Sequence, residues 1–177
     1  MTPAAELELV DQARTGDEEA FEALLRALIP VGYRLACGML QDRQLAEDAV
    51  QEAAMSAWRK LHQLRSGSRI EPWFLGIVAN QCRSIRRTRW WSVLKIDPSP
   101  PLTDPADDRV VAGADLRRAL ARLNPDLRLV VILYYYLDLP LQEIATITGA
   151  SFAAVRGRLY RAVKSLKPDL EIIEVQT

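Results

Sequence analysis

Four prolines within nine residues, Pro98, Pro100, Pro101 and Pro105, interrupt an otherwise helical pattern and constrain this chain more than any other feature. Each lacks an amide donor and biases the preceding residue away from helix, so the segment from Asp97 to Pro105 cannot extend either neighbour. On both sides apolar residues recur at helical spacing, while period-two runs of β-branched residues are absent. The sequence therefore reads as all-α: two small helical domains joined by a Pro-rich linker, the second containing a helix-turn-helix. The expected boundaries are 1–95, a linker over 96–112, and 113–177, sizes at which helical domains fold independently.

In the first domain Thr15 and Glu18 have capping-box spacing ahead of a helix bearing Phe21, Leu24, Leu25, Leu28 and Tyr33, with Pro30 a site for a kink. Asp42 caps the next helix, which places Ala46, Ala49, Val50, Ala53, Ala57 and Leu61 on one face. Asp48, Gln51, Glu52, Met55 and Arg59 fall on another. After a turn, Pro72 suits the first turn of a helix with Trp73, Ile77 and Ile85 inward and Asn80, Arg83, Arg86 and Arg87 toward other faces. In the second domain Asn124-Pro125 is a cap followed by an N1 proline, opening a helix through Val130, Leu133 and Tyr134. Of Tyr134, Tyr135 and Tyr136, one or two are expected in the core. Leu139-Pro140 opens a short helix that stops at Gly149, and Ser151 caps a last helix with Val155, Leu159, Ala162 and Leu166 inward. Two helices across a tight glycine turn, the second basic, form a helix-turn-helix.

The charges balance at 23 basic and 23 acidic residues, yet they are segregated. Residues 1–64 hold 6 basic and 11 acidic side chains, whereas residues 65–95 hold 7 basic and only Glu71 acidic. A second acid-free stretch from Ser151 to Lys167 carries Arg156, Arg158, Arg161, Lys164 and Lys167. One acidic surface and two separate basic ones imply a protein partner and a polyanion contacted at two places. In a helix-turn-helix the residues near the start of the second helix, here Ser151, Phe152, Ala153, Ala154 and Arg156, face base edges. Arg158, Arg161 and Lys164 then hold phosphates, which supply affinity without sequence information. The first basic stretch mixes Arg83, Arg86, Arg87, Arg89 and Lys95 with Trp90 and Trp91, a combination suited to single strands; the indoles alternatively close a helix end.

Catalytic and metal chemistry find little support. Cys37 and Cys82 lie in helical apolar patterns, the one histidine, His62, has no ligand or nucleophile pattern around it, and no Gly-rich phosphate loop is present. No catalytic residue, metal ligand or cofactor is expected. Uninterrupted apolar runs such as Leu129 to Leu137 are shorter than a bilayer requires, and Met1 to Glu6 lacks a leader pattern, so a cytoplasmic protein without membrane insertion is expected.

Taken together, the segments resemble a bacterial RNA polymerase sigma factor of the two-domain, extracytoplasmic-function group. Ala46 to Glu52 followed by Ala57-Trp58-Arg59-Lys60 is similar to the family's helix that docks on the polymerase. Trp73 to Asn80 ending in Arg86-Arg87 is similar to the helix that opens and holds the −10 element. Leu123 to Arg128, Glu143-Ile144-Ala145, Gly149 and Val155 to Ala162 are similar to the −35-reading domain. The resemblance implies polymerase contacts at Asp48, Gln51, Glu52, Met55 and Arg59. It implies −10 contacts at Arg65, Ser66, Ser68 and Arg69 in the loop and at Asn80, Arg83, Arg86 and Arg87 on the helix. It implies −35 contacts at Ser151, Phe152, Ala154, Arg156, Arg158, Arg161 and Lys164. Core RNA polymerase, promoter DNA and an anti-sigma factor are the implied partners. Departures include Ala54, where the family usually carries a large aromatic, and Phe152, Ala154 and Gly157 in the reading helix, so the −35 sequence cannot be copied from relatives. The rival readings are a stand-alone helix-turn-helix transcription regulator and a helical adaptor that binds only proteins.

Overall fold

A computed structural model of the chain describes residues 2–92 and 110–174. Side chains of residues 89–92, 110–115 and 168–174 lie outside that description, as do residues 93–109, which include Lys95 and the whole Pro-rich segment, and residues 1 and 175–177. The described residues form eight α-helices and no strand: α1 (Pro3–Arg14), α2 (Glu18–Leu40), α3 (Arg43–Lys60), α4 (Ile70–Ser92), α5 (Val110–Arg122), α6 (Pro125–Val131), α7 (Leu141–Thr148) and α8 (Phe152–Glu174). The all-α expectation holds, and the second domain has its helix-turn-helix in α7 and α8. α5 starts at Val110, within the stretch expected to be linker.

The first four helices pack around α2, which touches α1, α3 and α4. α2 is long and apolar enough, by length and composition alone, to cross a bilayer, which the uninterrupted apolar runs did not indicate. Here it is the central helix of a bundle: Leu24, Leu28, Leu35, Ala36 and Met39 are buried, while Glu19, Glu22, Arg26 and Arg34 face outward. Close approach of α4 depends on Gly32, where a Cβ would lie 2.9 Å from Phe74 Cε1 and 3.3 Å from Val78 Cγ2.

Asp42, Asn124 and Ser151 cap their helices as expected: Asp42 Oδ1 accepts from Leu45 N (3.1 Å), Asn124 Oδ1 from Asp126 N (3.0 Å) and Ser151 Oγ from Ala154 N (3.2 Å). The capping box at Thr15 does not form. Asp17 caps α2, its Oδ1 accepting from Ala20 N at 3.0 Å, because Thr15 instead closes α1 and donates its hydroxyl to Gln12 O at 2.7 Å. α4 also turns differently from expectation. Phe74, Leu75, Val78, Ala79 and Cys82 are fully buried, whereas Trp73, Ile77 and Ile85 are only half-buried. α4 packs against α2 and α3 on one side and α7 on the other, so no single apolar stripe defines its inner face.

After α6 the chain makes a π-helical turn over Ile132–Tyr136. Its extra residue per turn keeps Ile132 and Leu133 inside and turns all three tyrosines out. Tyr134 and Tyr135 meet edge-on at 4.9 Å, so the core place expected for one or two of them is taken by the aliphatic pair. One apolar core runs from the α1–α4 bundle into α6 and α7, and a smaller one joins α5, α6 and α8 through Ala119, Leu123, Val131, Ala162 and Leu166.

Candidate functional site

Three surfaces concentrate the candidate residues. The first is the outer face of α3. Its opposite face, Ala46, Ala49, Val50, Ala53 and Ala57, is buried, and this one-sided burial holds Asp48, Gln51, Glu52, Met55 and Arg59 together in solvent. Glu52 accepts from Arg59 Nη2 at 3.2 Å and Asp48 from Gln44 Nε2 at 3.4 Å. Met55 is 45% exposed amid these charges. Trp58 packs its ring against Phe21 of α2, centroids 4.8 Å apart and planes tilted by 48°, and anchors the end of α3.

The second surface combines the α3–α4 loop with α4. Arg65 to Ser68 form a turn in which Ser68 N donates to Arg65 O at 3.1 Å, with Gly67 at φ 75°, a conformation a side chain would strain. Two α1 side chains that sequence reasoning passed over hold this loop at both ends. Arg14 Nη2 donates to Leu64 O at 2.7 Å, and Glu6 Oε1 accepts from Ile70 N at 2.9 Å. Their separations of 50 and 64 residues left no local pattern to find. Arg65, Ser66 and Arg87 are exposed, and Asn80 is exposed with its Oδ1 accepting from Arg83 Nη1 at 3.1 Å. Arg86 does not join this exposed set. It is half-buried, donates to Met39 O at 3.3 Å, and burial pulls its pKa down.

The third surface is the helix-turn-helix. α7 ends at Gly149, whose φ of 65° reverses the chain in two residues, and Ser151 starts α8. Phe152, Ala153, Ala154, Arg156, Arg161 and Lys164 are exposed along one side of α8, while Val155, Ala162 and Leu166 are buried on the other. Arg161 Nε donates to Gly157 O at 3.3 Å, and Arg158 is drawn to within 4.0 Å of Asp126. Ser151 caps α8, and Phe152, Ala154 and Arg156 are exposed beside it.

Between the two domains lies a groove of about 660 Å³, lined among others by Cys37, Gly38, Leu116, Val131, Tyr135 and Leu166. The buried Arg128 ties the domains together. Its Nε donates to Leu120 O (2.7 Å), its Nη2 to Ala121 O, and its Nη1 to Met39 O across the interface (3.0 Å). Burial, with Arg86 nearby, brings the Arg128 pKa down to about 10. Among the described residues no group of three or more His, Cys, Asp or Glu is placed to hold a metal ion, and both cysteines are free thiols.

Comparison with known proteins identifies the family. A family model described as Sigma-70 region 2 matches residues 20–92, and one described as Sigma-70, region 4 matches residues 114–166. RNA polymerase sigma factor SigV of Bacillus subtilis is 30% identical over 138 residues, 78% of this chain and 83% of the relative. ECF RNA polymerase sigma factor SigL of Mycobacterium tuberculosis is 30% identical over 171 residues, 91% of this chain and 97% of the relative. The solved structure of sigma factor RpoE in complex with the anti-sigma factor NepR, from Bartonella quintana, is similar at a TM-score of 0.74 and 26% identity. It covers 86% of this chain and 97% of RpoE.

Proposed function

Because the chain belongs to the sigma-70 family of RNA polymerase sigma factors, in the extracytoplasmic-function group, we propose that its three surfaces divide the labour of promoter recognition. It is an initiation factor that lends sequence recognition to core RNA polymerase; it acts in the cytoplasm, where polymerase and chromosome are. The outer face of α3, through Asp48, Gln51, Glu52, Met55 and Arg59, docks on core polymerase. Arg65, Ser66, Ser68 and Arg69 in the loop and Asn80, Arg83 and Arg87 on α4 follow the −10 element, with Arg86 supporting α4 from within. Ser151 sets the pose of α8, Phe152, Ala154 and Arg156 read the −35 groove, and Arg158, Arg161 and Lys164 hold its phosphates.

The observation that carries this reading is the exposure of all five α3 residues on one face whose reverse is buried alanine and valine. Nothing in the fold of the domain requires that combination of acids, amide and methionine outside. The two cationic surfaces lie on different domains joined by a Pro-rich segment, as two separated DNA elements require. Opening the −10 duplex trades unstacking against capture of extruded bases, and the tethered loop Arg65–Arg69 is the part of the surface shaped to receive one. The interdomain groove, apolar and flanked by exposed Tyr135 and Leu116, is the seat assigned to an anti-sigma segment that keeps the factor inactive.

Asp48→Lys with Glu52→Lys tests the assignment. Both residues are exposed, so the fold is retained by circular dichroism while affinity for core polymerase falls at least about tenfold, the effect of reversing two charges at a docking face. Unchanged affinity would reject the α3 surface. Specific promoter binding by the chain alone, equal to that of the polymerase complex, would favour the stand-alone regulator instead.

A further inference from the structure

The loop proposed to take an extruded −10 base is shaped from outside itself. Its ends are anchored by the buried Leu64 and Ile70, and across its turn Ser68 N donates to Arg65 O at 3.1 Å. At the tip, no atom beyond the chain neighbours lies within 4 Å of where a Cβ on Gly67 would sit. Packing therefore does not hold the tip, and its pose depends on how its two roots are held.

α1 holds both. Glu6 and Arg14, with the buried Val10 between them, stand at i, i+4 and i+8, one stripe of a helix that rises about 12 Å over that span. Arg14 Nη2 donates to Leu64 O at 2.7 Å, where the chain leaves the 3₁₀ turn Leu61–Gln63 on which α1 packs. Asp11 Oδ1, 3.9 Å from Arg14 Nη1, steadies the guanidinium from the turn before. At the other root Glu6 Oε1 accepts from Ile70 N at 2.9 Å. That amide is the first of α4 and has no partner within its own helix, and the preceding Arg69 carries no acceptor with which to cap it. A carboxylate there also meets the positive end of the α4 dipole. Elsewhere on this surface the arginines are placed by carboxylates of the second domain: Arg69 pairs with Glu143 of α7, and Arg83 with Asp126 of α6 at 3.0 Å. At the tip, Arg65 to Ser68, the positioning comes from α1.

We infer that α1 is part of the base-selecting device: Glu6 and Arg14 are positioning residues that fix the Arg65–Ser68 turn in one pose before DNA arrives, and so decide how sharply one −10 base is chosen over the others. The inference rests on the proposed capture of a −10 base by this loop. A turn fixed beforehand needs no ordering when the base enters, and a fixed set of donors and acceptors rejects a base whose edge leaves one of them unpaired. A loop released at its roots adapts to several bases and loses that rejection.

Core polymerase with the full chain is offered forked promoter DNA whose single-stranded non-template −10 region is randomised, and the bound fraction is sequenced. Arg65→Ala and Ser66→Ala first locate the position that the loop reads, as the one whose preference they lower. Glu6→Ala and Arg14→Ala should each lower the preference at that same position about five- to thirtyfold, the weight of one net hydrogen bond. The other positions and the affinity for polymerase should not change. Glu6→Gln keeps an acceptor for Ile70 N and should keep the preference. Thr2→Ala removes the α1 cap, in which Thr2 Oγ1 accepts from Ala5 N at 3.3 Å, without touching the loop; it should keep the preference too. In the chain alone, trypsin cleavage after Arg65 should quicken by a similar factor in Glu6→Ala and Arg14→Ala. Unchanged cleavage would overturn the pinning. Faster cleavage with an unchanged preference, or an equal loss at every position, would overturn the role in base selection. If Arg65→Ala and Ser66→Ala shift no position, the loop's capture of a base fails, and this inference with it.

Discussion

Arg128→Met removes the one guanidinium on which the second domain and the interface both depend. Arg128 is 3% exposed, and its group serves carbonyls of Leu120, Ala121 and Leu123 at the end of α5 and of Met39 at the end of α2. Each charged hydrogen bond of this kind is worth about 1.5 to 3 kcal/mol net, so three well-made ones contribute about 5 to 9 kcal/mol. Against this stands burial of the charge. A pKa brought down to about 10 from 12.5 corresponds to a penalty of about 3 kcal/mol. Met39 O keeps the Arg86 donor, which reduces the loss at the interface. The net expectation is a destabilisation of about 2 to 4 kcal/mol for Arg128→Met, measured by urea unfolding of the full chain, with hydrogen exchange in α5 and α6 isolating the second domain. Arg128→Lys should recover less than half, because a single ammonium cannot span carbonyls on two helices. A change below about 0.5 kcal/mol, or full recovery with lysine, would refute the ledger of bonds against burial.

Two further perturbations read other parts of the structure. Gly32→Ala gains about 1 kcal/mol of helix propensity but places its Cβ against a packed ring, so a net loss of about 1 kcal/mol or more is expected in urea; stabilisation would mean that the Phe74 ring yields freely. Burial pushes the Cys82 thiol up to about 12 from 9.0. The unfolded chain therefore releases this proton first, and stability is lost as pH rises above 9 toward 12. Cys82→Ala should flatten that decline relative to the parent chain, and parallel curves would contradict the burial of the thiol.

What the sequence discloses here follows from how local each signal is. The α3 face was legible because the helix buries only one side, so period 3.6 alone separates Ala49 and Ala53 from Asp48 and Glu52. The caps at Asp42, Asn124 and Ser151 were legible because donor and acceptor lie within three residues. Thr15 misled because two hydroxyl- or carboxylate-bearing residues, Thr15 and Asp17, compete for one helix start, and α1 claims the first. Tyr134 to Tyr136 misled because a π-helical turn shifts the register that an α-helix would keep. The acidic partners of Arg83 and Arg69 lie 43 and 74 residues away in the sequence, beyond any spacing rule. Arg86 and Arg87 look alike as sequence, and only the carbonyl of Met39 tells the inward one from the outward one.

The central claim is that this chain supplies promoter choice to a polymerase that lacks it. Run-off transcription on genomic fragments, with core polymerase from the same organism and the purified chain added or withheld, tests it most directly. The expected result is a set of discrete start sites that appear only with the chain and vanish with Arg156→Ala plus Arg161→Ala. Identical transcripts with and without the chain, across every fragment, would contradict it.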